Sequence, residues 1–426
     1  MPTQDSRALT QAELDTVLST KIDRELFCVA YHPDWLTELP LAPLSDQEWK
    51  QHLDQLTAEE RLRFRSDLLS WQALRRGERP DPSSPAVKPS PPKFLPRELR
   101  PEAPYSQALH IPSPDVEKRT IDELTSGGSV VLVGGKGQGK SWWTQHILHQ
   151  LRENYAQYKT IYVNLARWSQ QDLKTSLYPL LREELIRQLQ LTEAESQRKP
   201  SETQRLDHIW PLLEAYHQRP ECAHHKLVLA LDGIDALQSS GAAGAFLSAL
   251  RARLQGTPYL VLLGSLAGDP LASIPARSGV GSRTFGETQI VPDFTREQLR
   301  EVAAPYKLEL ADQVYHSLWQ LLSGQPYLCR LAMYRMLREP ASPRVLLEEA
   351  ACSADGGRLF IDQLPVLRKQ LQPGEVLGLR AVYEREGVDC AEPVLESLRT
   401  MGLIVKIKRT GKHRLHCRLY LHLLRD

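Results

Sequence analysis

The sequence predicts an α/β chain: a parallel sheet with crossover helices, preceded by a small helical unit and followed by a helical unit and a C-terminal helix–helix–hairpin. Three observations carry this. The apolar run Val130-Val131-Leu132-Val133 leads directly into the glycine-rich stretch Gly134 to Gly139. Across residues 105–290, further apolar runs at Thr160–Asn164, Leu227–Leu231, Tyr259–Leu263 and Gln289–Val291 alternate with helical segments, clearest at Leu173–Leu191 and Leu206–His217. Such unbroken apolar runs suit strands covered on both faces. From residue 295 onward the pattern is helical until a last unit of two helices and two β-rich stretches.

In chain order, residues 1–78 read as a small helical adaptor domain. Thr10–Ile22 places Leu14, Val17 and Leu18 on one side, and Asp46–Leu56 and Thr57–Leu74 form two more helices. Ser45 or Asp46 caps the first of these, and Thr57 with Glu60 has capping-box spacing for the second. Phe27–Tyr31 is too short to assign, and the unit carries no catalytic motif. Residues 79–104 crowd Pro80, Pro82, Pro85, Pro89, Pro91, Pro92, Pro96, Pro101 and Pro104 into one segment, which reads as an extended linker. Residues 105–293 form the sheet-bearing core and 294–357 a helical unit, in which Thr295 and Gln298 form a capping box ahead of helices near Ala311–Leu322 and Tyr327–Leu337. Residues 358–426 follow as Gly374–Glu386, Ala391–Met401, Leu403–Lys408 and His413–Leu419, with a turn at Thr410-Gly411; this is the order of a winged helix-turn-helix.

The stretch Gly134-Gly135-Lys136-Gly137-Gln138-Gly139-Lys140-Ser141 has the G-x-x-x-x-G-K-[ST] spacing of a phosphate-binding P-loop. Gly134, Gly137 and Gly139 let the backbone turn and bring its N–H groups close to phosphate oxygens. Lys140 supplies a point charge for the β- and γ-phosphates and Ser141 a hydroxyl for Mg²⁺. The helix expected from Trp142 to Leu151 aims its positive end at the same phosphates. Residues Gly134 through Trp142 are therefore the expected nucleotide contacts. The run Leu227–Leu231 ends in Asp232, a Walker B pattern in which the carboxylate holds Mg²⁺ together with Ser141. Asp235 is the candidate catalytic carboxylate, with a helix N-cap as the competing role. Ser265 reads either as a contact to the γ-phosphate or as a turn serine. Pro326, at a helix start, reads as an adenine contact or as ordinary N1 proline. Arg330 reads as a phosphate contact or as a solvated cation, and Arg277 and Arg283 as residues acting across a subunit boundary.

The chain has 426 residues, 41% hydrophobic and 25% charged, with a net charge of +1, so it is no general polyanion binder. Its six cysteines are scattered without a C-x-x-C pair, which favours free thiols over a zinc site or disulfide framework. His224-His225 has no ligand spacing around it. With no signal-peptide pattern and no long apolar window, the expectation is a cytoplasmic protein without membrane contact. Basic residues gather late in the chain, at Arg399, Lys406, Lys408, Arg409, Lys412, Arg414, Arg418 and Arg425. A wing formed by 399–418 is a candidate DNA contact, although Glu392 and Glu396 on the preceding helix would repel phosphate.

Taken together, these motifs resemble the AAA-like ATPase domain of bacterial multidomain proteins, related to STAND signalling ATPases and to origin-recognition AAA+ proteins. The resemblance runs through Ile111–Pro114, Thr160–Leu165, the Walker B strand, Pro292–Leu299, Ser323–Leu328 and Leu398–Ile404. It implies a P-loop ATPase core with ATP/ADP and Mg²⁺ as ligands, a helical lid and a winged helix. It departs from the family at Gly233, where an acidic residue is more usual, and at Leu266, where STAND proteins often place arginine. The expected function is a slow ATPase acting as a molecular switch in signalling or defence, coupled to a protein partner through the N-terminal domain and with homo-oligomers common among such proteins. The alternatives are a DNA-associated AAA+ ATPase and a nucleotide-binding scaffold without turnover.

Overall fold

The computed structural model describes residues 14, 17–36, 44–76, 105–192, 209–238, 243–268, 286–385, 390–407 and 410–425. The proline-rich segment and Arg277, Arg283, Lys408 and Arg409 lie outside them. The chain divides into two compact units, one of Pro101–Pro292 and one of Met1–Arg100 with Asp293–Asp426.

The N-terminal helices are α1 (Lys21–Tyr31), α2 (Asp46–Gln55) and α3 (Ala58–Arg75). Thr20 caps α1 by accepting from the Asp23 N–H, so the helix expected over Thr10–Ile22 does not run through Leu18–Thr20, and Phe27–Tyr31 is helical. Ser45 with Glu48 and Thr57 with Glu60 form reciprocal capping boxes.

Within Pro101–Pro292 the elements are α4 (Pro114–Ser126), β1 (Val130–Gly134), α5 (Lys140–Asn154), β2 (Tyr158–Asn164), α6 (Gln170–Leu189), α7 (Trp210–His217), β3 (Lys226–Asp232), α8 (Asp235–Gln238), α9 (Ala243–Gln255), β4 (Leu260–Ala267) and β5 (Glu287–Ile290). The five strands pair in parallel in the order β2-β3-β4-β1-β5. β2 follows β1 in sequence yet lies at the sheet edge, and β4 is the strand between β1 and β3. Side chains alternate between two cores. Val131, Val133, Ile161, Val163, Leu229 and Leu231 meet Leu173–Leu189 of α6, Trp210–Tyr216 of α7 and Phe246–Leu250 of α9. Val130, Leu132, Val228 and Ala230 meet Leu124 of α4 and Trp143, Ile147, Leu148 and Leu151 of α5. Apolar residues on both faces explain the unbroken runs in the sequence.

The remaining helices are α10 (Gln298–Ala303), α11 (Asp312–Leu322), α12 (Pro326–Arg338), α13 (Pro343–Cys352), α14 (Gly357–Phe360), α15 (Leu364–Gln370), α16 (Pro373–Arg385) and α17 (Glu392–Thr400). Thr295 and Gln298 make the expected reciprocal hydrogen bonds ahead of α10. After α17 come the antiparallel pair β6 (Ile404–Lys406) and β7 (His413–Leu415) and a buried 3₁₀ segment, Arg418–Leu424. The second β-rich stretch therefore ends at Leu415 rather than Leu419.

The sequence sets residues 1–78 apart as a separate domain. In the structure their described helices are built into the same compact unit as Asp293–Asp426: α11 and α13 pack on α1, and α13 also packs on α3. Phe27 meets Phe64 and Trp71 edge-on at 5.2 and 5.7 Å. Two acids of α1 are buried against the C-terminal arginines. Asp23 accepts from Arg425 at 2.5 Å, and Glu25 lies 3.6 Å from Arg418. Charged residues placed every second position on a helix look solvated in sequence, which is why this packing is not legible there. No described helix is long and apolar enough to cross a membrane.

Candidate functional site

β1 delivers the chain to the glycine-rich loop at the carboxyl ends of the strands, where open parallel sheets place their ligands. Gly137 and Gly139 adopt left-handed backbone angles, φ 82° and 80°, that side-chain-bearing residues rarely take. Gly139 precedes α5 with no side-chain cap, so the first N–H groups of α5 remain available to a ligand. The Gln138 amide oxygen accepts from the Gly135 N–H and lies where a Cβ on Gly134 would stand. Lys140 Nζ donates to the carbonyls of Gly134 and Gly135 at 3.0 and 2.9 Å. Burial pulls the Lys140 pKa down, opposed by the charges of Asp235 and Asp232. Ser141 is half-buried in the first turn of α5, and Lys136 is exposed. Trp142 turns toward Tyr105, ring centroids 5.2 Å apart.

Asp232 closes β3 and is 2% exposed. Two hydroxyls fix its carboxylate: Tyr162 donates to Oδ2 at 2.8 Å and Ser265 donates to Oδ1. Ser265 Oγ also accepts from the Gly233 N–H at 2.8 Å. Gly233 has φ 77°, a left-handed backbone angle that favours glycine over a side-chain-bearing residue. Asp235 opens α8, and its Oδ1 accepts from the Ala267 N–H at the end of β4, 2.9 Å away. Its hydrogen bond thus ties α8 to β4.

Ser265 is not a turn residue: β4 continues to Ala267, and its buried hydroxyl bonds Asp232 and Gly233. Pro326 and Arg330 belong to the other compact unit. Pro326 is buried at the start of α12, where Gln325 supplies the cap to the Leu328 N–H, and Arg330 lies over the Phe294 ring at 5.7 Å. Among the described C-terminal cations, three are held in ion pairs within the fold. Arg399 is 7% exposed and paired with Glu392 and Glu396, Arg418 faces Glu25, and Arg425 holds Asp23. Lys406 and Lys412 are exposed.

Two features escaped sequence reasoning. Tyr162 shares a face of β2 with Asn164, the residue in register with Asp232, and only strand register reveals it. The other is a clamp behind α5. Glu117 of α4 lies 3.0 Å from His110 Nε2 and 3.4 Å from His146 Nε2, and it accepts from the Ser113 N–H at 2.8 Å. Burial raises the Glu117 pKa, but these hydrogen bonds outweigh it and hold the carboxyl well below its ordinary range. The three side chains are close enough to suggest a metal set. The two imidazoles, however, stack at 3.5 Å and 9°, so their in-plane lone pairs run side by side rather than converging on one ion.

Sheet order, loop and carboxylate positions define the α/β fold of P-loop ATPases. A family model described as the AAA-like domain matches residues 284–426. Among solved structures, the Walker-type ATPase paby2304 of Pyrococcus abyssi is similar with a TM-score of 0.53 and 16% identity, over 76% of this chain and 99% of that one. The Aeropyrum pernix ORC2 protein in its ADPNP-ADP complexes gives a TM-score of 0.45 at 15% identity, over 79% and 95% of the two chains. The A. pernix ORC1 protein in complex with DNA gives 0.39 at 16% identity, over 77% and 95%. No curated protein sequence matches.

Proposed function

We propose that this chain is an AAA-like, ATP-binding molecular switch with slow hydrolysis. The observation that carries the reading is the grouping of a half-buried ammonium, two left-handed glycines, an uncapped helix N-terminus and the Asp232 and Asp235 carboxylates at one end of a parallel sheet. These residues fit a magnesium triphosphate. The loop amides and Lys140 would hold the β- and γ-phosphates, and Ser141 and Asp232 would hold Mg²⁺. The bound ion supplies charge neutralisation at the transferring phosphoryl group. Tyr162 and Ser265 orient the Asp232 carboxylate, and Asp235 would orient or deprotonate the attacking water. Its commitment to the Ala267 N–H accords with slow turnover.

In this reading α10–α13 act as the helical lid and α16, α17, β6 and β7 as the winged helix-turn-helix. The N-terminal helices engage a protein partner. Leu62 and Leu69, 59% and 57% exposed and two turns apart on α3, offer an apolar strip for that role. The DNA-associated alternative draws less support, because Arg399, Arg418 and Arg425 are spent inside the fold.

The test is Asp235→Asn. This change keeps an acceptor for the Ala267 N–H while removing the charge. ATP affinity is expected to persist while phosphate release falls by about 100-fold or more. Unchanged turnover would remove Asp235 from the mechanism.

A further inference from the structure

A cleft of about 490 Å³ opens at the β2 edge of the sheet, within the size range of small-molecule sites. Four cations line it, Arg152, Lys159, Arg167 and Arg187, against a single carboxylate, Glu184. Glu184 is buried and accepts from Arg167 at 2.7 Å and also from Arg187 and Gln188. Burial raises its pKa, but these three donors outweigh that and keep it ionised. Each of the two arginines thus commits one Nη to Glu184, which steadies a planar fork with further donors to spend. Arg152 is bonded through Nε to the Thr160 hydroxyl at 2.6 Å, a neutral partner. Burial lowers its pKa, as expected for a cation whose surroundings under-compensate its charge.

Open sheet edges also attract extended peptides, but this one is blocked at its centre. The Gln188 amide takes both backbone groups of Tyr162, accepting from its N–H at 2.8 Å and donating to its carbonyl at 2.5 Å. An added strand would have to displace it. What remains is a polar recess rich in guanidinium donors, the chemistry that recognises phosphate oxygens bidentately.

We propose that this cleft is a second anion site, separate from the glycine-rich loop, that takes a small phosphate-bearing ligand. The test is calorimetric titration of pyrophosphate into the full chain carrying Lys140→Ala, which cripples the loop. Saturable binding is expected to persist in that background. It should weaken by about tenfold or more when Arg152→Gln and Lys159→Gln are added, and again as salt rises. Arg187→Gln alone, at a side chain 68% exposed that leaves Arg167 and Gln188 on Glu184, should give a similar loss. Absence of binding to the Lys140→Ala chain, or affinity unchanged by the cleft substitutions, would overturn the proposal. ATP titration of the chain carrying Arg152→Gln and Lys159→Gln with Lys140 intact reads the loop separately, so the two sites fail independently.

Discussion

Removing the Glu25 carboxylate should loosen the junction between the N-terminal helices and the C-terminal segment. Glu25 is 2% exposed. Its Oε1 accepts from the Leu44 N–H at 3.1 Å and the Tyr383 hydroxyl at 2.9 Å, and its Oε2 faces Arg418 Nε at 3.6 Å. Arg418 is itself 2% exposed, and Gln320 is its hydrogen-bonded partner. Burial pushes the Glu25 pKa up and the Arg418 pKa down, so the pair contributes little net stability against an apolar replacement. Glu25→Ala is a different perturbation. It strands a buried guanidinium and two donors, which costs about 3–5 kcal/mol. For a unit of this size, that is a fall in melting temperature of roughly 10 °C. The assay is chemical denaturation of the full chain followed by tryptophan fluorescence, since Trp71 packs beside Arg425 and Phe27 in this region. The double change Glu25→Leu with Arg418→Met should recover most of the loss. A destabilisation by Glu25→Ala below about 1 kcal/mol, typical of an exposed pair, would refute the reasoning.

Ser265→Ala should destabilise the chain by about 1–3 kcal/mol, because the Gly233 N–H loses its acceptor and Asp232 one of its two donors. It should also lower magnesium-dependent turnover more than ATP affinity, as steady-state kinetics and titration would show. Two buried histidines should give opposite pH signatures. Burial lowers the His416 pKa, but Asp293, 2.9 Å away, overcomes this and leaves it raised. Its stabilisation is therefore present below the unfolded value and lost as pH rises through the folded one. The stability gap between wild type and His416→Gln should shrink as pH rises above the ordinary histidine value of about 6.5. Burial pushes His422 down to about 3. Its neutral form is favoured on folding, so stability should fall as pH drops below about 6.5, and less so in His422→Gln. Denaturation midpoints across this range check both.

The sheet was legible because its strands are buried on both faces and so read as apolar runs. The errors lie where polarity interrupts that signal. The apolar run of β4 stops at Leu263 and the strand runs on to Ala267, because Ser265 is satisfied inside the strand by Asp232 and Gly233. The loop and Asp232 were legible because each belongs to a contiguous motif. Tyr162 was not, since its part depends on the β2–β3 register, and neither was the His110–Glu117–His146 clamp, assembled from three separate segments. The N-terminal helices misled for a related reason. Asp23 and Glu25 look like surface acids until Arg425 and Arg418, roughly four hundred residues away, are folded onto them.

Calorimetric titration of ATP with magnesium into wild type and Lys140→Ala tests the central claim most directly. Wild type is expected to bind ATP, and Lys140→Ala to lose at least about tenfold in affinity, the worth of a charge-assisted contact to the phosphates. Equal affinity in the two proteins, or no ATP binding by folded wild type, would contradict the account.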